Sequence, residues 1–185
     1  MKITIISGSP RKQSITVRVA KHLQQYFSSK VSEHTIEMVV MSENVLPFVD
    51  KVWSTLNDAP EAFKPLAEKI FNSDAFILVS PEYNGGYSTA MKNLLDHFPK
   101  RDKKVFGIVT ASPGSMGGIR AAQQIQNLIC GVMGIPSPNM LIVGGVDKKF
   151  DAEGKLIDEA FTNSIHTFAT EFIWLAEAVK AKKDS

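Results

Sequence analysis

Residues Ser7 to Ser14 read Ser-Gly-Ser-Pro-Arg-Lys-Gln-Ser and follow directly on the apolar, β-branched run Ile3 to Ile6. Hydroxyls, one guanidinium and a glycine between a buried strand and a helix are the groups that hold a phosphate. A helix opening at about Ser14 offers free backbone N–H groups and the positive end of its dipole to an anion. Ser9 and Ser14 add hydroxyl donors, and Arg11 adds a charge-assisted contact. The Gly-Lys-Ser/Thr ending of a triphosphate loop is missing. So is Gly-x-Gly-x-x-Gly, because Gly8 stands alone, and a dinucleotide pyrophosphate is therefore disfavoured. The set suits a compact, dianionic monophosphate. The competing reading is an ordinary turn in which Ser14 caps the helix.

Two further loops have the same strand–loop–helix setting. Pro81-Glu82-Tyr83-Asn84-Gly85-Gly86-Tyr87-Ser88-Thr89 precedes a helical pattern from Ala90. Asn84 and Gly85 permit positive φ, so the chain can turn sharply and lie against a flat ligand such as a flavin ring. Tyr83 and Tyr87 offer aromatic faces. Taken alone, the segment reads equally well as a turn with surface tyrosines. Ala111-Ser112-Pro113-Gly114-Ser115-Met116-Gly117-Gly118-Ile119-Arg120 is the third loop. Its glycines let backbone N–H groups approach an acceptor, and a helix N-terminus with Arg120 would stabilise a reduced, anionic flavin edge. Here the alternative is a plain loop–helix junction with a solvated Arg120.

Positioning these loops falls to alternating strands and helices. Strands are expected at Lys2–Ile6, Thr35–Val40, Ala75–Ser80, Lys104–Thr110 and Met140–Val143. Helices are expected at Ser14–Phe27, Pro60–Asn72, Thr89–Phe98, Gly117–Met133 and Asp158–Lys180, with Pro65 at the true first turn of the second. Leu46 to Asp58 has no clean period and reads as an irregular excursion. Phe161, Ile165, Phe168, Phe172, Leu175 and Val179 form a stripe on the last helix that reads as core or subunit interface. The pattern predicts an α/β three-layer sandwich of one domain, residues 1–185. Its five-stranded parallel sheet should run in the flavodoxin-like order 2-1-3-4-5. Ligands of such sheets sit beyond the carboxyl ends of the strands, where the three loops converge.

Composition bounds the rest. The 185 residues are 44% hydrophobic with a net charge of +2, which argues for a globular chain and against nucleic acid as a partner. No apolar stretch is long enough for a membrane span and the N-terminus does not read as a signal peptide, so the expected compartment is the cytoplasm. Cys130 is the one cysteine. It excludes an intramolecular disulfide or a cysteine metal cluster, and its apolar neighbours predict a buried structural thiol. His22, His34, His97 and His166 are scattered, so no catalytic acid–base residue and no metal site are expected. His97, near the second loop, is a minor candidate for touching substrate.

With these residues together, the chain resembles the NADPH-dependent FMN reductase family of flavodoxin-like proteins, which includes quinone, azo-dye and chromate reductases. The resemblance rests on Gly8 to Ser14, on Pro81-Glu82-Tyr83-Asn84 with Lys92-Asn93, on Ser112 to Ala121, and on Phe150 to Asp158. It implies a tightly bound FMN with NADPH or NADH as co-substrate. By it, Ser9, Arg11, Ser14, Ile15 and Thr16 surround the phosphate. Pro81, Glu82, Tyr83, Asn84 and Gly85 flank the ring on one side, and Ser112, Pro113, Gly114, Met116 and Gly117 on the other. Tyr87, Gly118 and Arg120 are substrate-side candidates. The chain departs from the family at Thr16, where Asn is frequent, and at Ser88-Thr89, where Pro-Gly is usual.

The implied reaction is a ping-pong exchange in which hydride passes from NAD(P)H to flavin N5, and a quinone or similar small acceptor then takes two electrons. Catalysis of this kind is chiefly cofactor chemistry with positioning by the protein. The resemblance also implies a homodimer or homotetramer. One rival is a flavodoxin-type electron carrier, which would profit from an acidic docking face that this charge balance lacks. Another is a reductase that treats free FMN as substrate.

Overall fold

A computed structural model describes residues 1–184. Its parallel sheet contains β1 (Lys2–Ser7), β2 (Thr35–Val40), β3 (Ala75–Ser80), β4 (Val105–Ser112), β5 (Ile135–Pro136) and β6 (Leu141–Gly144). The principal helices are α1 (Val17–Lys30), α2 (Lys64–Asn72), α3 (Thr89–Asp96), α4 (Ile119–Gly131), the single turn α5 (Val146–Lys149) and α6 (Thr162–Asp184). The order β2-β1-β3-β4-β5 is the one expected from sequence. β3, Ala-Phe-Ile-Leu-Val-Ser, is buried at every position, as a central strand covered on both faces must be.

The fifth sheet position differs from expectation. It is shared by two short strands that both pair with β4. Ile135 and Pro136 lie beside Val105 and Phe106, while Leu141 to Gly144 lie beside Val109 to Ser112. Ser137, Pro138 and Asn139 interrupt the line between them, and Pro138 can donate no ladder hydrogen bond.

Strand alternation sorts the core. Ile3, Ile5, Ile77 and Val109 face α1 and α6, whereas Ile6, Phe76, Leu78 and Ile108 face α2, α3 and α4. Ile165, Phe168, Ala169, Phe172 and Ala176 seat α6 on the first of these layers, so its stripe is core. Pro65 stands in the first turn of α2, as read from sequence. Cys130 is exposed, against the expectation of a buried thiol: Ile125 and Ile129 take the inner face of α4, and the next residue turns outward.

Two tethers fix the connections. Arg18, Lys21, His22 and Gln25 on α1 reach backbone oxygens of Phe150, Ala152, Gly154 and Glu153, which pins the segment before α6 to that helix. The excursion through Leu46 to Asp58 is irregular save for a 3-10 turn at Leu56–Asp58. It is held down by Trp53, whose buried ring stacks on Phe63 and contacts Phe98 edge-on. Asn93 of α3 reinforces it, accepting from the Val49 N–H and donating to the Pro47 carbonyl.

Candidate functional site

The three loops meet beyond the carboxyl ends of β1, β3 and β4. They enclose a cavity of about 230 Å3 lined by Ser9, Arg11, Ser14, Ile15, Thr16, Pro81, Glu82, Tyr83, Ser112 and Pro113, with Gln13 and Ala111. Sequence reasoning did not single out those last two. Asn84, Gly85, Gly114, Met116 and Gly117 shape the surrounding turns without lining the cavity. A larger cavity of about 520 Å3 lies between α1 and α6, lined by Tyr26, His166 and Trp174 among others, away from all three loops.

In the first loop, α1 starts later than the sequence pattern predicts. Its N-cap is Thr16, which makes no side-chain capping bond. Ser14 is therefore not the cap, and its Oγ is buried with no hydrogen-bond partner. A hydroxyl left unpaired in this way costs about 1–3 kcal/mol unless something supplies an acceptor or donor. Ser14 lines the cavity beside the N-terminus of α1, where the Arg18 and Val19 N–H groups turn back to the Ile15 and Thr16 carbonyls at 3.2 Å and the Thr16 and Val17 N–H groups have no backbone acceptor. The arrangement fits an anion and does not fit the ordinary capped turn. Arg11 lies with its guanidinium carbon 4.6 Å from the centroid of the Tyr83 ring. The Tyr83 hydroxyl is 3.3 Å from Ser9 Oγ, so the first two loops share one polar wall.

The second loop is a two-residue reversal. Tyr83 and Gly86 exchange backbone hydrogen bonds of 2.8 and 3.0 Å, with Asn84 at φ 52° and Gly85 at φ 84° between them. Two successive positive φ values define a type I′ turn, the conformation that Asn-Gly favours most. Tyr87 is half-buried and packs against the α2–α3–α4 side of the core; burial pushes its phenol above the usual pKa. His97 does not approach the cavity. It is buried against Trp53, ring centroids 4.5 Å apart, with its Nδ1 2.7 Å from the Asn93 carbonyl oxygen, so its role is packing.

The third loop carries the largest departure from expectation. Arg120 and the N-terminus of α4 are not left open to a ligand. The Glu82 carboxylate accepts from Arg120 Nε at 2.7 Å and from the Arg120 backbone N–H at 3.2 Å, and Arg120 Nη2 lies 2.6 Å from Oε1. Glu82 thus caps α4 from a neighbouring loop. Met116 is largely exposed on the outer side of the turn. Gly117 and Gly118 hold left-handed conformations, and the Gly117 N–H bonds the Gly114 carbonyl. Thr110 Oγ1, buried beneath Gly118, has no partner.

The site thus brings together hydroxyls beside a helix N-terminus, an aromatic-backed guanidinium and a backbone turn at one sheet edge, a set suited to an anion. Comparison with known proteins agrees with that chemistry. Residues 1–147 match the family model described as NADPH-dependent FMN reductase. A quinone reductase of Pseudomonas putida is 29% identical over 165 residues, covering 85% of each chain. An FMN-dependent NADPH-azoreductase of Staphylococcus aureus is 28% identical over 182 residues, covering 94% of each. Among solved structures, FerB, a flavoenzyme NAD(P)H:(acceptor) oxidoreductase from Paracoccus denitrificans, superposes with a TM-score of 0.76 at 23% identity. That match covers 95% of this chain and 97% of the other.

Proposed function

This chain belongs to the NADPH-dependent FMN reductase family, and from that premise we propose that it binds FMN in the three-loop cavity and uses it to reduce a quinone or an azo compound at the expense of NADPH or NADH. The observation that carries the reading is the buried, unpartnered hydroxyl of Ser14, a residue that lines the same cavity as Ser9 and Arg11. The chemistry supplied by bound FMN is two-electron transfer between a nicotinamide nucleotide and a small acceptor.

The protein's part is positioning. Ser9, Ser14 and Thr16, with the Thr16 and Val17 N–H groups at the start of α1, take the phosphate, and Arg11 balances its charge while braced on Tyr83. The Asn84–Gly85 turn offers backbone donors and acceptors to the ring at fixed angles, and Ser112 and Pro113 close the opposite wall. Nicotinamide nucleotide and acceptor use one opening in turn, so double-reciprocal plots at several acceptor concentrations should run parallel.

One chain encloses less volume than the roughly 300–1,000 Å3 of a complete ligand pocket, which supports a homodimer or homotetramer in which a second copy covers the remainder. Phe48 and Val45, 93% and 80% exposed, are apolar surface of the kind such a contact would bury. The compartment of this reading is the cytoplasm; no helix among the described residues is long and apolar enough to cross a membrane. The test is the visible spectrum of the purified protein before and after anaerobic NADPH. Bleaching of the flavin band supports the reading, and a colourless protein that gains no colour on adding FMN rejects it.

A further inference from the structure

Ser88 stands where three segments touch. Its side chain is fully buried. The hydroxyl donates to the Gly8 carbonyl in the phosphate loop and accepts from the Met91 N–H in the first turn of α3. Its backbone N–H donates to Ser80 Oγ at 3.0 Å, and that hydroxyl in turn donates to the Pro81 carbonyl at 2.8 Å. One residue is therefore bonded to the turn after β1, to the end of β3 and to α3.

The Gly8 end of this network is unusually constrained. The Gly8 N–H donates to the Val79 carbonyl at 2.8 Å, so both backbone polar groups of Gly8 are held by the ring-loop side of the molecule. A methyl group at Gly8 would overlap the end of the Met91 side chain and come within 3.2 Å of Ser88 Oγ, so the turn is packed closely against α3. The peptides of the described residues are all trans, and in a trans peptide the carbonyl and the following N–H point in opposite directions. Holding the Gly8 carbonyl toward Ser88 therefore turns the Ser9 N–H away from α3. Ser9 Oγ is in contact with Tyr83 and with the Arg11 N–H, so the orientation of this one peptide carries through to the residues that line the cavity.

We propose that Ser88 is a positioning residue for the phosphate end of the flavin: its hydroxyl fixes the Gly8–Ser9 peptide and thereby sets the affinity for the phosphate. The inference rests on FMN occupying the three-loop cavity. Replacing Ser88 by Ala leaves the Gly8 carbonyl buried without its donor, and the peptide gains freedom to rotate.

The experiment compares FMN with riboflavin, which has the same ring and no phosphate, by fluorescence quenching on titration into the flavin-stripped full chain. S88A should bind FMN about tenfold more weakly, the equivalent of roughly 1.4 kcal/mol, while riboflavin changes less than twofold. S88T, which keeps the donor, should return FMN affinity to within about threefold of the starting chain. Equal losses for the two flavins, or no loss for FMN, would overturn the role. Should S88A fail to fold, S88C, similar in size with a weaker donor, takes its place: a loss confined to FMN supports the role, and an equal loss or none overturns it. A starting chain that binds neither flavin would overturn the FMN reading together with this one. A starting chain that binds both flavins equally leaves the ring site standing and overturns the phosphate role.

Discussion

The Arg120 guanidinium and the Glu82 carboxylate join the loops that follow β3 and β4, with Nε 2.7 Å and Nη2 2.6 Å from one carboxylate oxygen. The pair is asymmetric: the Arg120 side chain is 64% exposed and that of Glu82 only 11%. Losing the arginine strands a mostly buried carboxylate on a single backbone N–H, whereas losing the carboxylate's charge leaves the arginine in water. R120A should therefore cost about 1–2 kcal/mol and E82Q about half as much. Urea unfolding of the two variants and of the double variant measures both costs and the coupling between them. A larger cost for E82Q than for R120A would show that Glu82 matters chiefly as the cap of α4.

Arg11 is held at 4.6 Å over the Tyr83 ring, on the wall of the three-loop cavity. A braced guanidinium loses little freedom on binding a phosphate and can present two parallel donors. R11A should weaken FMN binding about 10- to 100-fold, and R11K should recover part of that, because Lys supplies charge without the fork. Flavin titrations at low and high salt check the assignment. The salt dependence of FMN binding should shrink in R11A, since the screened charge is gone. Y83F keeps the ring, so its effect should fall well below that of R11A.

β3 is the easiest strand to read, because burial on both faces leaves a continuous apolar run, and Ala75–Ser80 falls as expected; the edge strand Thr35–Val40, mostly half-buried, also falls where its Ile, Met and Val place it. β5 escaped notice because two residues before Ser137-Pro138-Asn139 do not make a pattern. Cys130 was legible in principle, since Ile125 and Ile129 four apart define the inner face of α4 and the next position falls about 100° round. His97 packs against Trp53, and its nearness to the second loop in sequence is not nearness in space. It follows the last residue of α3, and eight residues at about 1.5 Å each separate it from the loop at the other end of that helix. The loop after β1 is readable as residue types, but not Ser14's release from capping, which depends on where α1 begins. Nothing local could reveal that Glu82 caps a helix 38 residues away.

His22 gives the fold a pH dependence. It lies on α1, partly buried against Phe150, and burial holds its pKa below the ordinary value of about 6.5. Its hydrogen bond to the Gly154 carbonyl oxygen, at 3.0 Å, opposes that shift without overcoming it. The folded protein thus binds fewer protons than the unfolded chain just below pH 6.5. Stability from this group is complete above the unfolded pKa and is lost as pH falls through the folded one. Unfolding free energies measured between about pH 5 and pH 8 should decline on the acid side. In H22Q that part of the decline should be smaller, and an unchanged slope would assign it to other groups.

Gly117 and Gly145 share the same φ, +61°, and differ in what surrounds them. A Cβ at Gly145 would meet open space. At Gly117 it would lie 2.7 Å from the Gly144 nitrogen and 2.7 Å from a methyl of Ile142, where β6 packs under the third loop. Both Ala substitutions carry the left-handed penalty of about 1–2 kcal/mol. G117A adds overpacking of about 1–3 kcal/mol against backbone that cannot rotate away. Unfolding curves should accordingly rank G117A well below G145A in stability, with FMN binding weakened in G117A alone, because Ser112 and Pro113 of the same loop line the cavity. Equal penalties would mean that the end of β6 yields to the added methyl, and the third loop would then be a soft wall of the site instead of a fixed one.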